Sequence, residues 1–342
     1  ETLNLSSVLN LPQLFVLENN LYSQSTPQAS AVSGEIGKRA EAFNIETFEC
    51  NTWDIQNLFR ITKQAVDYVR DTKKPAFLTI KTYRLNAHSK SDDDRDINEI
   101  KYFEERDALN LISTQEKWKN VFSNIKKEIQ SHLTTSDENF LDIHEYLHDQ
   151  LPRRQNEHIA EVSNDKVRMV KALNRSYYEC LRNNSVFIGE DIGDPYGGAF
   201  KVTKGFSSAY PERLISSPIS EAGITGMGIG LSLMGKTTFV EIMFGDFATH
   251  IFDQLISNAS KFYHMYAFQC SAPVRVRTPM GGKRGYGPTH SQSLEKLFLG
   301  IDNLLVVSLS SLEDPKNVIN EVQNHKCPAL IIENKVDYGK IL

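Results

Sequence analysis

Short apolar segments alternate with amphipathic helical segments near both ends of this sequence, and the alternation constrains the fold more than any other feature. The predicted strands cover residues 13–17, 76–80, 185–188, 238–243, 274–277, 304–308 and 329–332. The predicted helices cover 55–69, 167–182, 221–234, 249–267 and 313–324. Apolar strands alternating with helices are typical of parallel sheets that helices cover on both faces. We therefore predict an α/β protein with two such sheets.

The middle of the chain separates the two predicted sheets. Residues 86–165 are polar and helix-prone, with charge runs at 92–96 and 126–128. This pattern is typical of a loop followed by solvated connecting helices. A length of 342 residues also agrees with two domains. We predict units at 1–85 and 166–342 with 86–165 as the linker.

The composition excludes several classes of partner. A net charge of −5 with 24% charged residues gives no reason to expect nucleic acid or an anionic membrane as partner. No apolar run approaches the roughly 20 residues of a membrane span. The four cysteines are widely spaced and form no CxxC pair, so we expect a reducing compartment such as the cytoplasm and no disulfide framework.

Glu221 is a single carboxylate at the point where a short strand gives way to a glycine-rich helix. Glycines at 223, 226, 228 and 230 remove bulk from that helix, so a ligand or another main chain can approach it closely. An acid at a helix start also commonly does no more than cap amide donors or complement the helix dipole. Both interpretations are open from these residues alone.

A zinc-peptidase pattern occurs in the polar linker. His144-Glu-Tyr-Leu-His148 matches HExxH, which places two imidazoles on one helical face with Glu145 as a base. A pattern with two free positions often arises by chance, and no cleft-forming strand accompanies this one. We favour a solvated helix and keep a zinc hydrolase as a remote alternative.

Two loops that follow predicted strands carry candidate ligands for a phosphorylated molecule. In Glu18-Asn-Asn-Leu-Tyr22, the Asn side chains and main-chain carbonyls are hard oxygen donors suited to Mg²⁺, although Asn-Asn after a strand is usually a turn. In the loop after residue 80, Arg84 and His88 can neutralise phosphate and donate protons. A solvated charged loop is the alternative for the second segment.

A glycine-rich loop leaves the strand at 274–277 and reaches His290. Glycines add nothing to core packing, and long loops on rigid scaffolds often carry function. An imidazole that titrates near neutral pH can serve as acid or base, so His290 is a candidate catalytic group.

These segments together resemble one family, the thiamine-diphosphate-dependent first component of the 2-oxo acid dehydrogenase complexes, in its fused alpha–beta form. The resemblance is carried jointly by Glu-Asn-Asn-x-Tyr, Tyr-Arg-(x)₃-His-Ser, Pro-x-x-Glu-x-Gly, Glu-Ile-Met-Phe-x-Asp-Phe and His-Ser-Gln-Ser. It implies that residues 1–85 are the second part of a diphosphate-binding domain. It also implies that residues 166–342 are a pyrimidine-binding domain.

The resemblance implies roles in the pyrimidine half of a cofactor site. Glu221 would be a buried acid that hydrogen-bonds the aminopyrimidine ring of thiamine diphosphate, and Phe247 would lie against that ring. The glycine-rich face at 226–230 would be a close-packing surface in a homo-oligomer, a dimer of fused chains. His290 and His88 would be the proton donors.

The resemblance also implies a diphosphate half and two partners. Asn20 by its side chain and Tyr22 by its carbonyl would bind Mg²⁺, and Arg84 would contact cofactor phosphates. Ser89 matches a serine that is phosphorylated in some animal relatives. The implied reaction is oxidative decarboxylation of a 2-oxo acid with acyl transfer to a lipoyl-bearing acyltransferase. Acetoin-type or biosynthetic acyl transfer is the alternative.

Two departures from the family pattern bear on activity. The chain starts without Met inside a predicted helix, and the family's Gly-Asp-Gly motif, which supplies a Mg²⁺-binding aspartate, would precede residue 1. The family's last domain would follow Leu342. We therefore expect residues 1–342 alone to bind the cofactor poorly and to be inactive.

Overall fold

The computed structural model describes residues 1–89, 93–136 and 166–342. The chain divides into two compact units, Glu1–Asp142 and Ile143–Leu342. Each unit has its own parallel sheet and its own buried apolar clusters. The predicted α/β class with parallel sheets is confirmed.

The first unit contains a three-stranded parallel sheet in the order β1–β3–β2. Its strands are β1 Leu14–Asn19, β2 Glu46–Asn51 and β3 Ala76–Lys81. Its shorter helices are α1 Thr2–Val8, α2 Gln28–Ala31 and α3 Ile36–Glu41. Asn19 and Asn51 both pair with Lys81, so the three strands end at one edge of the sheet.

Helix α4, Ile55–Thr72, covers one face of this sheet. It begins after Asp54, whose side chain accepts a hydrogen bond from the amide of Asn57 at 3.0 Å, as an N-cap does. It ends at Lys73 in the left-handed conformation. Its apolar side buries Ala65 and Val69, and Ala65 packs with Leu78 of β3.

Three helices occupy the described part of the polar linker. They are α5 Ile97–Glu104, α6 Ala108–Ser113 and α7 Glu116–Ser136. Most side chains of α7 up to residue 134 are exposed, as expected for solvated connecting helices. Phe103 of α5 stacks on Tyr83 with ring centroids 4.0 Å apart, which fixes α5 beside the end of β3.

The second unit contains a six-stranded parallel sheet in the order β5–β4–β6–β7–β9–β8. Its strands are β4 Val186–Glu190, β5 Leu214–Ser217, β6 Thr238–Glu241, β7 Arg275–Met280, β8 Leu305–Leu309 and β9 Ala329–Asn334. Its α-helices within residues 166–342 are α8 Met169–Arg182, α9 Phe206–Ala209, α10 Glu221–Leu233, α11 Phe262–Met265 and α12 Pro315–Asn324.

Apolar side chains cover both faces of the larger sheet. Helices α8 and α12 pack on one face, where Tyr177 and Ile319 are fully buried. Helix α10 packs on the other face, where Ile224 joins Val240 and Val276 in a second buried cluster. Burial on both sides explains why these strands are continuously apolar in the sequence.

Two sequence predictions need correction. The long helix predicted at 249–267 is instead a 3₁₀ segment Gly245–Ile251, a π segment Gln254–Ala259 and the short α11. Any of these helical forms buries one side of the chain, so apolar spacing does not distinguish among them. Strand β2 was not predicted, because this edge strand alternates exposed polar residues with few apolar ones.

Two simple features agree with the composition. All four cysteines are free thiols. Among the described residues, no helix is long and apolar enough to cross a membrane.

Candidate functional site

Glu221 is the first residue of α10 and lies just beyond the carboxyl end of β5. The preceding Ser220 is buried, and its amide donates a hydrogen bond of 2.9 Å to Oε1 of Glu190. Glu190 is the last residue of β4 and is also buried. This bond fixes the start of α10 at the carboxyl edge of the sheet, where ligands of parallel α/β folds bind. Glu221 itself is half-buried in this structure, whereas the resemblance implied a buried acid.

The glycines of α10 have different surroundings. A Cβ at Gly228 would lie 2.4 Å from Cγ2 of Val240, so this glycine allows α10 to approach β6. A Cβ at Gly226 would meet only Oε1 of Gln254 at 3.7 Å, and one at Gly230 would meet nothing within 4 Å. Close packing within the unit therefore explains Gly228 but not Gly226 or Gly230. The predicted oligomer surface at 226–230 stays a prediction.

Phe247 and His290 meet at the same edge. Phe247 lies in the 3₁₀ segment after β6, and its ring centroid is 5.3 Å from the imidazole of His290. Phe244 packs nearly perpendicular to the same imidazole at 4.8 Å. Nδ1 of His290 lies 3.0 Å from Oγ1 of Thr289, so Nε2 is the ring atom left to exchange a proton with a ligand.

Two charged side chains hold the base of the glycine-rich loop, Lys335 and the aspartate Asp246 of the Glu-Ile-Met-Phe-x-Asp-Phe motif. Lys335, directly after β9, is fully buried and donates to the carbonyl of His290. Oδ1 of Asp246 accepts from Nε2 of Gln292 at 2.9 Å. In the sequence, Lys335 follows an apolar strand and cannot be told from an ordinary solvated turn residue.

A buried ion cluster lies in the sheet beside this site. Arg277 belongs to β7, which extends to Met280, so the strand predicted to end at 277 is longer than expected. Its guanidinium donates to Glu333 at 2.8 and 2.5 Å and to Glu241. Hydroxyl groups of Tyr177 and Tyr338 donate to Glu333 at 2.9 and 2.6 Å.

The two carboxylates of this cluster have opposite pKa shifts. Burial alone would raise the pKa of Glu333, but the charge of Arg277 and the hydrogen bonds it receives hold the pKa below its usual range. Burial raises the pKa of Glu241, and Arg277 opposes this only in part. Glu333 is therefore the principal counterion of Arg277.

In the first unit, Asn20 and Tyr22 lie in the turn after β1. Oδ1 of Asn20 accepts from the amide of Tyr22 at 3.0 Å, an Asx turn. The hydroxyl of Tyr22 donates to Oε2 of Glu99 at 2.8 Å. That hydrogen bond, with smaller contributions from burial, raises the pKa of Tyr22 to about 12.

Arg84 is joined to the same turn. Its guanidinium donates to the carbonyls of Ser23 and Gln24 at 3.1 and 2.6 Å. Arg95, whose side chain is 2% exposed, donates to the carbonyls of Arg84 and Asn86 at 2.5 and 3.1 Å. His88 lies exposed in this loop. The structure thus joins Arg84 to the turn that contains Asn20 and Tyr22, and it leaves the side chain of His88 exposed.

The metal predictions have different outcomes. His144, Glu145 and His148 lie outside the described residues. Across residues 1–89, 93–136 and 166–342, no cluster of three His, Cys, Asp or Glu side chains could hold a metal ion. Asn20 and Tyr22 offer neutral oxygens, which suit Mg²⁺ in kind but supply no negative charge.

The residues of the second unit fit a flat nitrogen heterocycle. Phe244, Phe247 and His290 offer aromatic surfaces, and Glu221 offers a carboxylate that is free to accept an N–H group at the same sheet edge. Parallel sheets with such groups beyond their strand ends define a class of ligand-binding α/β proteins.

The comparison with protein families identifies the particular family. Residues 1–147 match the dehydrogenase E1 component, and residues 165–340 match the pyrimidine binding domain of transketolase. The chain belongs to the thiamine-diphosphate-dependent first component (E1) family of 2-oxo acid dehydrogenases.

Individual relatives agree with this assignment. The chain is 36% identical over 164 residues to the mitochondrial beta-1 subunit of the pyruvate dehydrogenase E1 component of Arabidopsis thaliana, covering 47% of this chain and 45% of the relative. It is 34% identical over 177 residues to the mitochondrial beta subunit of Bos taurus, covering 51% and 49%. The chain therefore spans about half the length of these curated relatives.

Solved structures support the fold alone. A transketolase variant from Pichia stipitis aligns with 99% of this chain and 54% of its own, with a TM-score of 0.59 and 12% identity.

Proposed function

We propose that the protein acts in the thiamine-diphosphate-dependent oxidative decarboxylation of a 2-oxo acid and passes the acyl group to a lipoyl group on a partner acyltransferase. The observation that carries the proposal is the position of Glu221, the first residue of α10, at the sheet edge that also holds Phe247 and His290. Pyruvate dehydrogenase subunits among the relatives make pyruvate the first substrate to test.

In this proposal Glu221 and Phe247 bind the pyrimidine ring. A carboxylate at a helix start is stabilised by the dipole and by the amides of the first turn, so it remains a strong acceptor for a ring N–H. Phe247 supplies an aromatic surface against the ring. When bound, thiamine diphosphate supplies an electron sink for carbanion chemistry.

His290 moves the proton. Its imidazole is fixed between Phe244 and Phe247, with Nδ1 directed at Thr289. Nε2 therefore donates or accepts the proton at the reacting oxygen of the substrate. The aromatic neighbours also limit access of water to that nitrogen.

The residues of the first unit bind the diphosphate end. Hydrogen bonds of Arg84 go to neutral carbonyls, so no carboxylate in those bonds cancels its charge. This positive charge attracts phosphate, while Asn20 Oδ1 and the Tyr22 carbonyl bind Mg²⁺ as neutral ligands. Since neutral oxygens bind Mg²⁺ weakly, we expect weak cofactor binding by these 342 residues.

The test is turnover of a panel of 2-oxo acids by the full-length protein with thiamine diphosphate, Mg²⁺ and an artificial electron acceptor. Glu221→Gln should abolish turnover, whereas Glu212→Gln, an exposed carboxylate of the same unit, should retain it. Unchanged turnover in Glu221→Gln would refute the role of Glu221. Turnover with acetoin but with no 2-oxo acid would favour the alternative acyl-transfer reaction.

A further inference from the structure

The glycine-rich loop Gly281–Gln292 is closed at its base and open at its tip. The amide of Gly281 donates to the carbonyl of Gln292 at 3.1 Å, which joins the two ends. Residues 283–289 at the tip are exposed, whereas His290 near the base is partly buried. The position of His290 is therefore set by what holds the loop base.

Lys335 holds that base from the side of β9. Its amide donates to the carbonyl of Met280 at 3.0 Å, and its fully buried ammonium donates to the carbonyl of His290. The ammonium also lies 5.0 Å from the ring centroid of Phe244 and 5.7 Å from that of Tyr286. Burial of a cation raises the free energy of the folded state unless such partners stabilise it, so the carbonyl and the two rings are what allow Lys335 to be buried.

Asp246 holds the base from the side of β6. It is 8% exposed, and its Oδ1 accepts from both the side chain and the amide of Gln292 at 2.9 and 3.4 Å. Its Oδ2 is buried, and the described residues give it no hydrogen-bond partner. Burial lowers the pKa of Lys335 and the carboxylate of Asp246 opposes that shift, so the two charges support each other.

We propose that Lys335 and Asp246 are positioning residues that hold the imidazole of His290 by binding the main chain on both sides of Ser291. The inference rests on the proposed function only in taking His290 as the proton-transfer group. Neither side chain needs to touch substrate or cofactor. Lys335 binds the carbonyl of His290, and Asp246 binds the amide and side chain of Gln292.

The first test is the NMR resonance of the His290 Cε1–H group in the protein without cofactor. Ring currents from Phe244 and Phe247 shift this resonance in the wild type, because both rings contact the imidazole. Lys335→Met should move it toward the value of a solvent-exposed histidine, and Lys335→Arg should restore part of the shift. Lys340→Met, an exposed lysine on the same segment, should leave it unchanged.

The second test is the rate of trypsin cleavage after Lys283 and Arg284, both exposed at the loop tip. Loss of a hydrogen bond from a charged donor shifts a local opening equilibrium about ten-fold or more. Lys335→Met should therefore raise the cleavage rate about ten-fold. If that variant does not fold, Gln292→Leu removes the side-chain bond to Asp246 from an exposed position and should raise cleavage in the same way.

An unchanged resonance together with unchanged cleavage in a folded Lys335→Met or Gln292→Leu variant would overturn the inference. Both measurements use the protein without cofactor, so they do not depend on the proposed reaction. If turnover is detected, Lys335→Met combined with His290→Ala should be no slower than His290→Ala alone. Additive losses would show that Lys335 acts independently of His290.

Discussion

Arg277 in the second unit and Arg84 in the first differ in the hydrogen-bond acceptors that their guanidinium groups bind. Arg277, whose side chain is 1% exposed, is neutralised by the carboxylates of Glu333 and Glu241 inside the sheet. Arg84 lies in a partly exposed loop and donates to main-chain carbonyls. An arginine side chain can therefore serve the fold or a ligand, depending on its partners. A charge that is cancelled stabilises a fold, and a charge bound only to neutral acceptors stays available to an anion.

The largest expected loss of stability follows removal of Arg277, and removal of Arg84 is the matched comparison. Arg277→Met leaves two buried carboxylates without their cation and should lower the free energy of unfolding by about 3–5 kcal/mol. Arg84→Met should cost less than about 1 kcal/mol, because its bonds lie in a partly exposed loop. Urea unfolding followed by circular dichroism measures both. Equal losses would break the comparison.

Close packing in the second unit is tested at Gly228. Gly228→Ala places a Cβ 2.4 Å from Val240 and should destabilise the unit by about 2–3 kcal/mol through overpacking. Gly230→Ala meets no neighbour within 4 Å and should raise helix stability by up to about 1 kcal/mol. The same unfolding measurement applies. Destabilisation by Gly230→Ala would instead support the predicted oligomer surface on that face.

A pH-dependent contribution in the second unit comes from Asp194. Burial alone would raise its pKa, but hydrogen bonds from the amides of Gly205 and Ser208 and from the hydroxyls of Ser208 and Ser207 lower it to about 2. A depressed carboxyl pKa stabilises the fold above its unfolded value and loses that effect as pH falls through the folded value.

Asp194→Asn should therefore cost about 1–2 kcal/mol at neutral pH. The difference from wild type should shrink as the pH falls from about 4 to about 2. Unfolding free energies measured across this range decide the point. A constant difference would assign the loss to packing rather than to the charge of Asp194.

The smallest expected effect lies in the loop of the first unit. Glu99→Gln removes the charged acceptor of the Tyr22 hydroxyl, so the pKa of Tyr22 should fall from about 12 toward its ordinary value of 10.0. The loss of stability should stay below about 1 kcal/mol. NMR titration of the tyrosine ring carbons, with Tyr22→Phe to assign the signal, measures the shift. An unmoved pKa would mean that burial of Tyr22 dominates.

The sequence predicted the strands of both sheets with their approximate bounds, except β2 and β5, because buried parallel strands are continuously apolar. It anticipated a short strand before Glu221 without its bounds. The structure places the Phe247 ring beside the imidazole of His290, and the roles of Glu221, Phe247 and His290 at a cofactor stay predictions.

The sequence did not indicate which charged side chains are buried. Arg277 is the last residue of the predicted strand, and Lys335 follows one, and neither position indicates burial. Whether a charge at a strand end faces water or a counterion depends on side chains far away in sequence, here Glu333 for Arg277 and the carbonyl of His290 for Lys335. Local patterns carry no information about such partners.

The most direct test of the account is an NMR titration of the protein with thiamine diphosphate and Mg²⁺, which detects weak binding as well as strong. We predict that amide signals at Glu221, Phe247 and His290 shift on binding. Glu221→Gln should raise the dissociation constant about ten-fold or more, because a hydrogen bond to a charged acceptor is lost. Glu212→Gln should have the dissociation constant of the wild type. Equal affinity of Glu221→Gln and wild type, or the absence of shifts at these residues, would contradict the assignment of this site.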